Sequence, residues 1–341
     1  MSYEGYFRKT IGKIGISMLC FLLLFNIFSI AVVFLSEFLS LSGESGVTET
    51  VISQLFYAIG YFLCFALPAA LLRLLLRNSA SAVPAFSGAP RLSRSILPIL
   101  FAGIFLIFSA ATVNALFFSS LWDGFFPSAG AVAEGAEPLR PYEWVLQWIV
   151  MAVVPGICEE LLFRGAILSG CLPFGRSSAI FISAFLFSMM HQNFAQMFYT
   201  FVAGIVLGLV YVRTESLWNC ILLHFLNNSV SVLEELLEQR LPETVAAWVL
   251  PVFETGLAVA GIVSVLYLVF RFFRRRKDFG EGFFEKSLPP SDGYAPYKIP
   301  AERIRKLFLA PSMVIFLVLA VIQTILRLAE EVLLQYGGFG G

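Results

Sequence analysis

Residues 143–164 read E-W-V-L-Q-W-I-V-M-A-V-V-P-G-I-C-E-E-L-L-F-R. No charge interrupts the stretch between Glu143 and Glu159. A run of this length spans the roughly 30 Å hydrocarbon core of a bilayer as one helix. Eight further segments share its character: 14–35, 51–72, 95–118, 177–192, 195–212, 217–234, 251–270 and 307–326. They predict an all-α, polytopic membrane helix bundle of eight to nine transmembrane helices, the fifth of them short. The whole chain agrees. Of 341 residues, 58% are hydrophobic and 13% charged, with a mean hydropathy of +0.83. An ordinary soluble domain holds about 25% charged residues, so this composition excludes a soluble enzyme and a disordered chain.

Charge and cysteine content narrow the class. The 23 basic and 23 acidic residues cancel, without the basic excess that a nucleic-acid partner requires. The five cysteines are dispersed and form no C-x-x-C, which argues against a disulfide framework or a cysteine zinc site. Met1–Lys13 is polar and basic, but the apolar run after it is too long for a signal peptide and is expected to stay as the first span.

Lysine and arginine set the orientation. With a cytoplasmic N-terminus, the inner side receives Arg8, Lys9, Lys13, Arg73, Arg77, Arg91, Arg94, Arg176 and Arg213. It also receives a 271–306 loop that opens on R-F-F-R-R-R-K. The outer side keeps only Arg140, Arg240 and Arg327, and is acidic instead, with Glu37, Glu44, Asp123, Glu134, Glu137 and Glu243 among its residues. The basic loop reads as a stop-transfer anchor against anionic lipid, with protein docking as the other reading. Three regions follow: N-terminal helices over 1–140, a motif-bearing core over 141–235, and C-terminal helices with the basic loop over 236–341. The expected location is the cell membrane, or the endoplasmic reticulum membrane in a eukaryotic host. The sequence assigns no oligomeric state.

Ionisable groups inside a bilayer cost about 2.5–3.5 kcal/mol each on insertion scales, so each one asks for a reason. Here they gather on neighbouring spans. In P-G-I-C-E-E-L-L-F-R, Glu160 and Arg164 are four apart and share a helix face. Glu159 points about 100° away and has no partner on its own helix. The bland reading is a helix-end ion pair with a spare Glu. In F-S-M-M-H, Phe187 and His191 share a face, though a lone His at a span end also reads as interfacial. In H-F-L-N-N, His224 and Asn228 are four apart, with Asn227 nearly as well placed. Interhelical hydrogen bonding accounts for that pair equally well. Taken together, the only two histidines and the only adjacent intramembrane carboxylates fall within 70 residues. A carboxylate with a His can activate water, and a His with an amide can stabilise an oxyanion.

The ordered trio E-E-L-L-F-R, F-S-M-M-H and H-F-L-N-N resembles the CPBP family of CAAX prenyl endopeptidases and bacteriocin-processing or Abi-type intramembrane proteases. The likeness covers roughly 141–235. It implies an endopeptidase in which Glu159 and His191 activate water and His224 and Asn228 form an oxyanion hole. Glu160 and Arg164 would orient the site, and Phe187 would pack beside it. The adjacent Asn227 leaves the amide open, although the family spacing selects Asn228. The expected partners are a peptide or membrane-protein substrate and the lipid bilayer. No cofactor is required on this reading. A zinc variant would use Glu159, His191 and His224 as a three-ligand set, although no H-E-x-x-H is present.

Two other functions remain open: a transporter or proton relay, for which Glu254 beside Pro251 would be the added feature, and a non-catalytic immunity or scaffold protein. One expectation is awkward. A rise of 1.5 Å per residue puts Glu159 about 8 Å, His224 about 10 Å and His191 about 20 Å from the inner ends of their spans. Their convergence requires a shifted, tilted or bent helix.

Overall fold

The computed structural model describes residues 3–42, 46–77, 96–116, 140–274 and 310–337. These hold nine helices in chain order: α1 Tyr3–Ser42, α2 Val47–Leu76, α3 Ile96–Asn114, α4 Pro141–Phe174, α5 Arg176–Met190, α6 Met197–Thr214, α7 Leu217–Arg240, α8 Glu243–Arg274 and α9 Pro311–Gly337. Eight are long and apolar enough to cross a membrane, and α5, with 15 residues, is the short ninth. Among the described residues there is no strand. The all-α membrane bundle expected from the sequence is therefore borne out, and the chain is an integral, multi-pass membrane protein. Glu44, Arg91, Arg94, Asp123, Glu134, Glu137 and the basic loop beyond Arg274 lie outside the described residues.

The main departure from the sequence reading is the end of α4. The expected span stops at Arg164. The helix instead runs to Phe174, and Arg164 is 0% exposed. Once its charge is met internally, nothing stops the helix, and Ile167, Leu168, Leu172 and Phe174 continue it as buried residues. Gly175 then turns the chain at φ +106°, a conformation that L side chains rarely adopt, and α5 begins at once. Glu159 and His191 lie sixteen residues before and after that glycine. In an antiparallel hairpin they come out at one depth, which removes the mismatch between those two residues. α4 is also irregular around the motif, with π-helical turns at Ile149–Val153 and Phe163–Leu168 flanking the α-turns of Val154–Leu162. Such π-turns are frequent at functional sites.

The four helices α4 to α7 form the centre. α2 packs on α4, α3 covers α6 and α7, α8 lies against α3, and α1 joins α2 to α9. Lipid is as apolar as leucine, so helices associate here through close packing rather than escape from water. The contacts are correspondingly tight. Phe7 of α1 meets Phe174 edge-on with ring centroids 4.4 Å apart. A Cβ built on Gly204 of α6 would lie 2.8 Å from the Ala184 Cα of α5. The G-x-x-x-G of α6 thus serves helix packing. Gly204→Ala is expected to cost about 1–3 kcal/mol by overpacking, whereas Gly256→Ala, with nothing within 4 Å of its Cβ, should leave stability unchanged or slightly raised. Melting in detergent tests this, and equal behaviour of the two variants would refute the packing argument.

Candidate active site

Glu159 and Glu160 are 4% and 0% exposed and point to different partners. Glu160 Oε1 accepts hydrogen bonds from Arg164 Nη1 at 2.7 Å and from His224 Nδ1 at 2.9 Å. Arg164 also donates from Nη2 to the Gly204 carbonyl at 3.0 Å, the carbonyl that close α6 packing brings within reach. Its Cζ stands 4.7 Å from the Phe187 ring centroid, a cation–π contact. The buried guanidinium is therefore compensated by a carboxylate, a carbonyl and an aromatic face. The pairing of Glu160 with Arg164 is as the spacing implies.

Glu159 is held from elsewhere. Its Oε1 accepts the hydroxyl hydrogen of Tyr61, on α2. Its Oε2 is buried and has no hydrogen-bond partner among the described residues, and it lies 3.8 Å from His224 Nε2. One oxygen is thus anchored and the other is open. Tyr61 is the residue that reading the sequence missed. Its signal was available: Tyr57 and Tyr61 stand four apart in an apolar span, and a phenol in such surroundings needs a partner. Nothing in the sequence says that the partner is Glu159.

The two imidazoles are oriented by their Nδ1 atoms. His191 Nδ1 lies 2.8 Å from the Phe187 carbonyl, which can only accept, so Nδ1 carries the hydrogen. In the neutral ring this leaves the Nε2 lone pair free. His224 Nδ1 likewise donates to Glu160, leaving Nε2 toward Glu159. Phe187 sits between the two rings, with centroids 4.9 Å from His191 and 6.0 Å from His224, both edge-on. The family pattern pairs Glu159 with His191, but the imidazole nitrogen within 4 Å of a Glu159 oxygen belongs to His224.

The asparagines are partly engaged. Asn228 Nδ2 donates to the Met151 carbonyl at 3.2 Å. That carbonyl lies four residues before Pro155, which has no N–H to give it. Asn227 Nδ2 is 3.4 Å from Asn228 Oδ1, while Asn227 Oδ1 is buried without a partner among the described residues.

A cavity of about 380 Å³ collects these groups. Glu159, Phe187, His191, His224, Asn227 and Asn228 line it, while Glu160 and Arg164 stand behind. Ile107 and Phe108 of α3 and Leu207 of α6 form an apolar wall, and Glu234 lines the α7 side. Among the described residues, no three His, Cys, Asp or Glu side chains are grouped to hold a metal ion.

Fold and cavity define a polytopic membrane protein with a buried carboxylate–histidine site. Residues 141–230 match the family model described as type II CAAX prenyl endopeptidase, Rce1-like. The resemblance carried by the three motifs is thereby upheld over about a quarter of the chain, the quarter holding every motif residue. No curated protein and no solved structure matches the chain.

Proposed function

We propose that the protein is an intramembrane endopeptidase that hydrolyses a peptide bond of a protein or peptide substrate with a water activated by Glu159 and His191. One observation carries the reading: the buried Glu159 Oε2 has no hydrogen-bond partner among the described residues and belongs to a residue lining the same cavity as both histidines. The match of 141–230 to the prenyl endopeptidase model supports it.

Water would bind at Glu159 Oε2 and give its proton to the carboxylate or to His191 Nε2 as its oxygen attacks the substrate carbonyl. The anion that develops on the carbonyl oxygen needs donors already in place. His224 can supply one from Nε2 while Nδ1 still donates to Glu160, provided the ring is the imidazolium. That charge would offset Glu159, as Arg164 offsets Glu160. A buried net charge is costly, so the second cation suits the enclosure. Asn228 has a second amide hydrogen besides the one given to Met151, and Asn227 stands beside it. Collapse of the intermediate breaks the C–N bond, and the departing nitrogen takes back the proton lent by the water. The first products are a carboxylic acid and an amine, and the acid's proton then passes to the amine to give carboxylate and ammonium.

No step uses a metal. The protein reconstituted in liposomes is expected to cleave membrane-protein substrates, with His191→Ala and His224→Ala each lowering cleavage by about 10²-fold or more while both variants still fold. Wild-type cleavage in both variants would defeat the reading. Near-stoichiometric zinc, with activity lost on chelation and restored by zinc, would replace the metal-free route by one through Glu159, His191 and His224. Comparing cleaved proteins in cells carrying wild type and Glu159→Ala would name the substrate.

A further inference from the structure

We infer that Gln323 on α9, far outside the matched segment, is a positioning residue for His191, acting through Gln192. The inference rests on the proteolytic reading for its meaning and on the α5 end for its argument. α5 ends at Met190, with His191 as its C-cap. The next residue, Gln192, stands at φ 50°, in the left-handed region. Helices commonly end on such a residue, and it is usually Gly, with Asn next, because a Cβ is strained there. A glutamine at this position asks for another reason, and its side chain supplies one. Gln192 is 3% exposed, and its Nε2 donates to Gln323 Oε1 at 2.7 Å, across 131 residues of sequence.

The rest of the α5 end is tied as well. Ser188 Oγ donates to the Met197 carbonyl at the start of α6, and the Gln192 N–H closes onto the Met189 carbonyl. His191 is thus bracketed by two side chains that leave α5 for different helices. Ser188 ties the end to α6, within the matched segment. Gln192 ties it to α9, a helix with no motif and, among the described residues, no side chain lining the cavity. The His191 ring gets its direction from the Phe187 carbonyl on its own helix, but its position is that of the α5 end. Strain at Gln192 persists only while surrounding contacts enforce it, and the bond to Gln323 is the contact that involves its side chain. α9 is then part of the catalytic unit, and the motif helices alone do not complete it.

The test compares Gln323→Leu, which removes the acceptor, with Gln323→Glu, which keeps one. Two readouts are taken on full-length protein in liposomes: kcat and KM for a cleaved membrane-protein substrate, and backbone hydrogen exchange. Gln323→Leu is expected to lower kcat by about 10- to 100-fold with KM unchanged, the scale of effect that a small misplacement of a reacting group produces. Exchange should quicken over 188–196 and stay as in wild type over 220–230, around His224. Gln323→Glu should restore both. Wild-type kcat in Gln323→Leu, or unchanged exchange over 188–196, overturns the inference. Absence of cleavage by the wild type would sink the proteolytic reading instead, and the exchange pattern alone would then decide whether Gln323 holds the His191 segment.

Discussion

Glu159→Gln is expected to lower kcat by about 10²- to 10⁴-fold, the range associated with loss of a positioned general base. The substitution is close to isosteric. The amide oxygen still accepts from Tyr61, and the amide nitrogen replaces the partner-free Oε2. Substrate contacts elsewhere in the cavity are untouched, so kcat and kcat/KM should fall by the same factor, the signature of an interaction lost in the transition state. Tyr61→Phe is the graded companion. It keeps the carboxylate and removes the bond that fixes its orientation. A hydrogen bond to a charged group is worth about 1.5–3 kcal/mol, which corresponds to about a 10- to 100-fold loss if all of it serves orientation. Tyr61→Phe should therefore be impaired less than Glu159→Gln. A Glu159→Gln protein that melts normally and keeps more than about a tenth of wild-type activity would remove Glu159 from the role of base.

The fold and the grouping of the candidate site residues were legible in the sequence because both are written in short-range terms. Span lengths count the helices. The i, i+4 spacings of Glu160 with Arg164, Phe187 with His191 and His224 with Asn228 each place two groups on one face, and such spacing survives any detail of tertiary packing. What could not be read was long-range. Tyr61 and Glu159 are 98 residues apart, and Gln192 and Gln323 are 131 apart. No periodicity joins them. The depth problem had a local origin. The expected span ended at Arg164, and only the packing of α6 and Phe187 around it shows that this arginine is interior. The engagement of Asn228 with Met151 was half legible, since Pro155 announces a missing donor without saying what replaces it.

Arg164 also carries the largest expected effect on stability. Arg164→Met removes a fully buried guanidinium and leaves Glu160 with His224 as its remaining donor. Deleting one partner of a buried ion pair costs about 3–5 kcal/mol, because the surviving charge stays where water cannot reach it. The loss should sit near the upper end of that range, since the Gly204 carbonyl and the Phe187 face lose their contacts in the same step. The double variant Glu160→Gln with Arg164→Met removes the charge along with its partner. The amide oxygen that replaces the Glu160 carboxylate can still accept from His224 Nδ1, and methionine fills much of the arginine volume with apolar atoms. Most of the stability should return, as it does when buried ion pairs give way to packed neutral residues. Activity should not return with it. His224 would face a neutral amide in place of a carboxylate, and the support for a second positive charge in the site would be gone. Unfolding of the two variants in detergent, read beside cleavage by the double variant, separates the roles. A loss below about 1 kcal/mol in Arg164→Met would mean that water or lipid headgroups reach Glu160. Full activity in the double variant would mean that His224 works without the carboxylate behind it.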